Sequence, residues 1–127
     1  MHLISQRRSS AILSTFAALL LCGAATAAEP LMKHDGMLVN SAGMTVYTFD
    51  ADPAESGKSM CNGGCADNWP AVAAPADVAP PYSAITRDDG AKQLAYKGKP
   101  LYTFKKDVKA GDRLGDGFKN VWHVAKD

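Results

Sequence analysis

Short apolar runs separated by turn residues dominate the chain beyond its first 28 positions. Met37-Leu38-Val39, Thr45 to Phe49, Leu94-Ala95-Tyr96, Pro100 to Phe104 and Val121 to Val124 are rich in β-branched and aromatic residues and are punctuated by Gly, Asn, Asp and Pro. That is the pattern of short antiparallel strands. No window of helical length carries an apolar stripe with caps. Asn40 to Gly43 and Tyr96 to Lys99 stand where hairpins must reverse, joining Leu38-Val39 to Val46-Tyr47 and Leu94-Ala95 to Leu101-Tyr102. In Tyr47-Thr48-Phe49 the two rings share one face of a strand and Thr48 takes the other; Tyr102-Thr103-Phe104 repeats the arrangement. Alternating aromatics of this kind predict core. The alternative is an aromatic-lined pocket, in which the phenol hydroxyls would need partners.

The pattern is written twice. Gly43-Met-Thr-Val-Tyr-Thr-Phe-Asp-Ala-Asp52 is echoed 55 residues later by Gly98-Lys-Pro-Leu-Tyr-Thr-Phe-Lys-Lys-Asp107. A tryptophan follows each copy, Trp69 lying 17 residues after Asp52 and Trp122 lying 15 after Asp107. Each repeat therefore reads as hairpin, polar loop and Trp-bearing segment, over about 36–72 and 90–125. Neither copy buries its apolar face alone. The expected fold is all-β: one small domain of two pseudo-repeated antiparallel hairpin units that share an aromatic core. Between them, Pro70 to Pro81 carries Pro75, Pro80 and Pro81 among alanines, which predicts an extended surface connector, centred on 73–83, that does not pair as a central strand.

Residues 1–28 read as a signal peptide. Arg7 and Arg8 form a positive start, Ala11 to Ala25 is an apolar run too short for a bilayer span, and Ala25-Thr26-Ala27 is a small-residue cleavage site. Cleavage after Ala27 or Ala28 leaves a single domain over 29–127. A lipid anchor on Cys22 is disfavoured, because Leu21 occupies the position where a small residue belongs. No second hydrophobic segment suggests an integral span. Losing Arg7 and Arg8 from 14 basic residues leaves 12 against 13 acids, a net charge of about −1, and no basic face that would take nucleic acid. The one compact basic group, Lys97, Lys99, Lys105, Lys106 and Lys109, reads as protection of a strand edge.

Candidate chemistry is sparse. Cys61-Asn-Gly-Gly-Cys65, in an oxidising compartment, predicts a disulfide, and closing so short a loop stabilises by about 2 kcal/mol. The spacing does not suit c-type haem, which needs two intervening residues and a following His. A Cu(I) or thiol-redox site is the alternative, with Cys61 and Cys65 completed by Met60, Met37, His34 or His123. Asp52 and Asp107 fall five residues beyond each tyrosine, where a carboxylate caps turn amides. Calcium binding there, or at Asp112 and Asp116, lacks the run of oxygen ligands the ion requires. Without a nucleophile elbow, phosphate loop or paired-histidine zinc motif, the expectation is a protein that is not an enzyme and carries no cofactor. His123, alternating with Val121 and Val124, reads as an ordinary strand residue.

Taken together, Tyr47-x-Phe49-x-x-Asp52, Cys61-x-x-x-Cys65-x-x-x-Trp69-Pro70, Gly98-Lys-Pro-Leu-Tyr102-x-Phe104-x-x-Asp107, and Gly115-Asp-Gly117 with Trp122 resemble the bacterial secreted-repeat family of predicted lipoproteins with a Tyr-x-aromatic-x-x-Asp motif. The likeness runs from about Leu38 to Val124. It implies a place in the bacterial cell envelope, periplasmic or secreted, and no settled biochemical function. The functional expectation is a non-enzymatic binding or interaction module whose partner is an unidentified envelope ligand or protein. A periplasmic copper-binding or thiol-redox protein built on Cys61 and Cys65 is the alternative.

Overall fold

The computed structural model describes residues 29–127; the expected signal peptide and Cys22 lie outside the described residues. Seven short strands, β1 (Met32–His34), β2 (Met37–Val39), β3 (Tyr47–Phe49), β4 (Tyr82–Thr86), β5 (Lys92–Tyr96), β6 (Lys99–Pro100) and β7 (Trp122–Val124), make up three small antiparallel sheets. One helical turn, α1 (Gly64–Asn68), and a 3-10 turn at Phe118–Asn120 interrupt the loops. The fold is thus all-β and built from two repeats, as the periodicity predicts. β1 and β4 are the strands that pattern reading misses. β1 reverses into β2 through Asp35-Gly36, whose φ values of 51° and 76° suit a two-residue turn of the type that Asp-Gly favours.

The repeats exchange their last strands. Leu38 N–H donates to the Ala125 carbonyl (2.9 Å), Ala125 N–H to Val46 (2.8 Å) and Val46 N–H to Leu38 (3.1 Å), closing a ring of three backbone bonds. The same ring recurs with Leu94 N–H to Val72 (2.8 Å), Val72 N–H to Leu101 (3.0 Å) and Leu101 N–H to Leu94 (3.0 Å). Ala125 belongs to the second repeat and completes the first hairpin, whereas Val72 belongs to the first and completes the second. The two rings meet where Tyr47 and Tyr102 exchange backbone bonds, N–H to carbonyl at 2.7 and 2.9 Å, about a local two-fold relation. Neither hairpin satisfies its inward amides without the other repeat's strand.

This exchange corrects the reading of Pro70 to Pro81 as an unpaired connector. Ala71 bridges Tyr102 and Ala73 bridges Gln93, so the segment begins as a paired strand. Its prolines permit this because Pro75, Pro80 and Pro81 fall beyond the paired stretch and Pro70 needs to give only its carbonyl, which accepts from Thr103 N–H at 2.8 Å.

Strand parity sorts the core into two halves. Val46 and Leu101 face an aliphatic cluster with Leu31, Leu38, Tyr82, Leu94, Tyr96 and Ala125. Their neighbours Tyr47 and Tyr102 face an aromatic cluster with Cys61, Trp69, Phe104, Trp122 and Val124. The aromatic half carries the candidate site.

Candidate functional site

Trp69 and Trp122 stack face to face, with ring centroids 3.7 Å apart and planes within 2°. Phe49 stacks on Trp122 at 4.2 Å and Phe104 on Trp69 at 4.1 Å. The result is a column of four rings, Phe49, Trp122, Trp69 and Phe104, in which each phenylalanine lies on the tryptophan of the other repeat. Tyr47 meets Trp69 edge-on at 5.3 Å, and Tyr102 meets Trp122 edge-on at 5.1 Å, which places positive ring edges against negative ring faces.

The motif aspartates close the column from outside, and they too cross between repeats. Tyr47 Oη donates to Asp107 Oδ2 at 2.5 Å; Tyr102 Oη donates to Asp52 Oδ2. Each carboxylate also caps a loop, Asp52 taking Met60 N–H at 2.6 Å and Asp107 taking Leu114 N–H at 2.9 Å. The expected turn-capping is present, and the phenol partners come in addition to it. Burial, followed by the hydrogen bond to the aspartate, raises the pKa of both Tyr47 and Tyr102 above the usual tyrosine value. Both phenols therefore stay neutral and act as donors.

The loops behind the two pairs have diverged. Gly115 N–H donates to Tyr47 Oη at 3.2 Å. On the other side Ser59 Oγ lies 2.5 Å from Tyr102 Oη and accepts from buried Arg87 at 2.9 Å. Arg87 also donates to Gln93 Oε1 at 2.7 Å and to the Cys61 carbonyl. Gln93 in turn gives its amide to the Leu101 carbonyl at 2.7 Å. A chain of polar contacts thus links the guanidinium through Ser59 and Tyr102 to Asp52, which brings a buried cation and a buried carboxylate into one network. Sequence reasoning misses Arg87, Ser59 and Gln93, because a single arginine after a strand of mixed polarity carries no local sign of burial.

Cys61 and Cys65 are joined to each other, as their spacing predicts. The bonded pair pins α1 beside Trp69, whose N–H donates to the Cys65 carbonyl at 2.9 Å. Joined sulfurs offer no thiolate to copper, so the copper alternative loses its two principal ligands. The remaining candidates do not gather around them. His123 Nε2 lies 2.8 Å from Asp50 Oδ2, Met60 is exposed, and His34 and Met37 sit on the β1–β2 hairpin. Among the described residues no three His, Cys, Asp or Glu side chains converge as a metal site. Asp112 and Asp116 accept backbone amides, from Val108 and Lys109 and from Val124. In the lysine group, Lys99 Nζ donates to the carbonyls of Asp52 (3.0 Å) and Phe49 (3.3 Å), tying the first motif's turn to the second hairpin.

The column opens onto a hollow of about 490 Å³. Phe49, Trp69, Trp122, Phe104, Phe118 and Val121 form its apolar wall, with Asn68, Lys106 and Lys119 as its polar members. Phe118 meets Trp69 at 5.8 Å and Phe104 at 5.6 Å, extending the aromatic surface. Its neighbours Lys119 and Asn120 hold φ values of 50° and 59°, a left-handed conformation that side chains other than Gly adopt at a cost.

No helix among the described residues is long and apolar enough to cross a membrane. Neither the curated proteins nor the solved structures gave a match to this chain. The family model described as a secreted repeat of unknown function matches it twice, over residues 31–73 and 83–126, dividing the chain where the strand exchange divides it. The protein therefore belongs to the family of secreted repeats of unknown function.

Proposed function

We propose that this secreted-repeat protein is a non-enzymatic binding module of the bacterial cell envelope, periplasmic or secreted, and that it takes a ring-bearing anionic ligand in the hollow beside the aromatic column. The supporting observation is the composition of that wall. Stacked and edge-on aromatic faces favour a flat ring or the apolar face of a sugar, and two ammonium groups, Lys106 and Lys119, stand ready for a carboxylate, sulfate or phosphate. Few polar groups set in an apolar concavity is the usual make-up of a ligand site. Among the described lining residues there is no carboxylate, imidazole or free thiol to serve as nucleophile or general base, which favours binding over catalysis.

Both tryptophans of the chain are in the column, so tryptophan emission, excited beyond tyrosine absorption, reports on this wall. Titration with a panel of aromatic and uronic-acid carboxylates is expected to give a saturable emission change. The change should disappear in the Lys106→Glu/Lys119→Glu variant, whose melting temperature should match the parent's. If every ring-bearing anion leaves the emission unmoved, or the variant responds as the parent does, the proposal fails.

A further inference from the structure

The β1–β2 hairpin presents a second set of side chains that neither the repeat motif nor the lining of the aromatic hollow uses, although Met37 also packs against the aromatic cluster. His34 stands directly opposite Met37 in the strand register, a separation that brings cross-strand Cβ atoms to within about 5.5 Å. Met32 precedes His34 by two residues on the same strand and so shares its face. All three line one hollow of about 360 Å³. Met32 is 49% exposed, so its sulfur is within reach of a solute, and Met37 is half-buried beside it. The tight Asp35-Gly36 turn fixes the register of the two strands that carry the three residues.

We infer that Met32, His34 and Met37 form a binding site for a soft monovalent metal ion, Cu(I) in the envelope. Two thioethers and one imidazole are neutral, polarisable donors of the kind that select Cu(I) over hard cations. The surroundings point the same way. Lys33 and Arg113 line the same hollow, with Lys33 lying 3.7 Å from Asp127. Arg113 adds a cationic side chain that repels a dication more strongly than a monocation, and the two thioethers and the imidazole are themselves uncharged donors. His34 Nε2 lies 3.4 Å from Asp35 Oδ2, which leaves Nδ1 as the ring nitrogen away from that carboxylate. The site uses neither cysteine, so it stands with the disulfide intact, and it shares no lining residue with the aromatic hollow.

The probes are Ag(I), as an air-stable stand-in, and Cu(I) itself, offered under nitrogen with ascorbate from a coloured Cu(I) chelator to the full secreted chain. With methyl-labelled methionine, Ag(I) is expected to move the Met32 and Met37 signals and leave Met44 and Met60 in place. Cu(I) should transfer from the chelator at one equivalent per chain. Loss of an outer partner of a metal ligand weakens binding roughly ten- to hundredfold, so Met32→Leu and Met37→Leu should each cost at least about tenfold. Both substitutions conserve volume and should leave the fold unchanged, and Met60→Leu should bind as the parent does. Failure of Cu(I) to leave the chelator, movement of Met44 or Met60 in place of Met32 and Met37, or parental affinity in both variants would each overturn the assignment.

Discussion

Replacing Tyr102 by Phe removes one hydroxyl from a position where its loss is felt by a carboxylate of the other repeat. Asp52 is fully buried, and its side chain takes two donors, Met60 N–H and Tyr102 Oη. The phenyl ring keeps its edge-on contact with Trp122, so packing changes little, and Ser59 retains Arg87. The penalty therefore falls on Asp52. A hydrogen bond to a charged group is worth about 1.5–3 kcal/mol, which for a domain of this size lowers the melting temperature by roughly 6–24 °C. Thermal unfolding of single and double variants, with the disulfide intact, separates the cause. Tyr102→Phe combined with Asp52→Ala should show a coupling of about 1 kcal/mol or more. Combined with Asp107→Ala, its own motif's aspartate, it should be additive to within about 0.5 kcal/mol. The reverse ordering would refute the crossed pairing.

Three further outcomes follow from the same geometry. Fragments 29–80 and 81–127, each lacking the strand that completes its hairpin, should be unfolded alone and regain near-ultraviolet circular dichroism when mixed; a fragment that folds unaided would contradict the strand exchange. A Cβ on Gly115 would stand 2.5 Å from Trp69 Cη2 and 3.0 Å from Tyr47 Cε1, so Gly115→Ala should destabilise by about 1–3 kcal/mol in denaturant unfolding, and an unchanged midpoint would show that the column yields freely. Tyr47 and Tyr102 keep their protons in the folded chain at a pH where the unfolded chain, titrating near 10.0, has lost them. Their contribution to stability is therefore complete below that pH and declines as pH rises above it. Phenolate absorbance should show these two ionising only as the fold is lost, whereas early ionisation of all four tyrosines in an intact fold would contradict their burial.

Local pattern carried much of this. Strand parity assigned Tyr47, Phe49, Tyr102 and Phe104 to one side of their strands, because side-chain alternation follows from the backbone alone. A separation of four residues made the Cys61–Cys65 bond legible, since its loop closes without help from the rest of the chain. The internal repeat announced two units that need each other. Folding decided what no local period encodes. Which aspartate each tyrosine would meet was settled across sequence separations of 60 and 50 residues, where each motif's own aspartate was the nearer along the chain. The pairing of Ala71 to Ala73 depended on the other hairpin's free amides, and the burial of Arg87 on three acceptors drawn from two separate segments, Ser59 to Cys61 and Gln93. The four-ring column and the hollow beside it arise only when two repeats, each with an incomplete hairpin, close around one another.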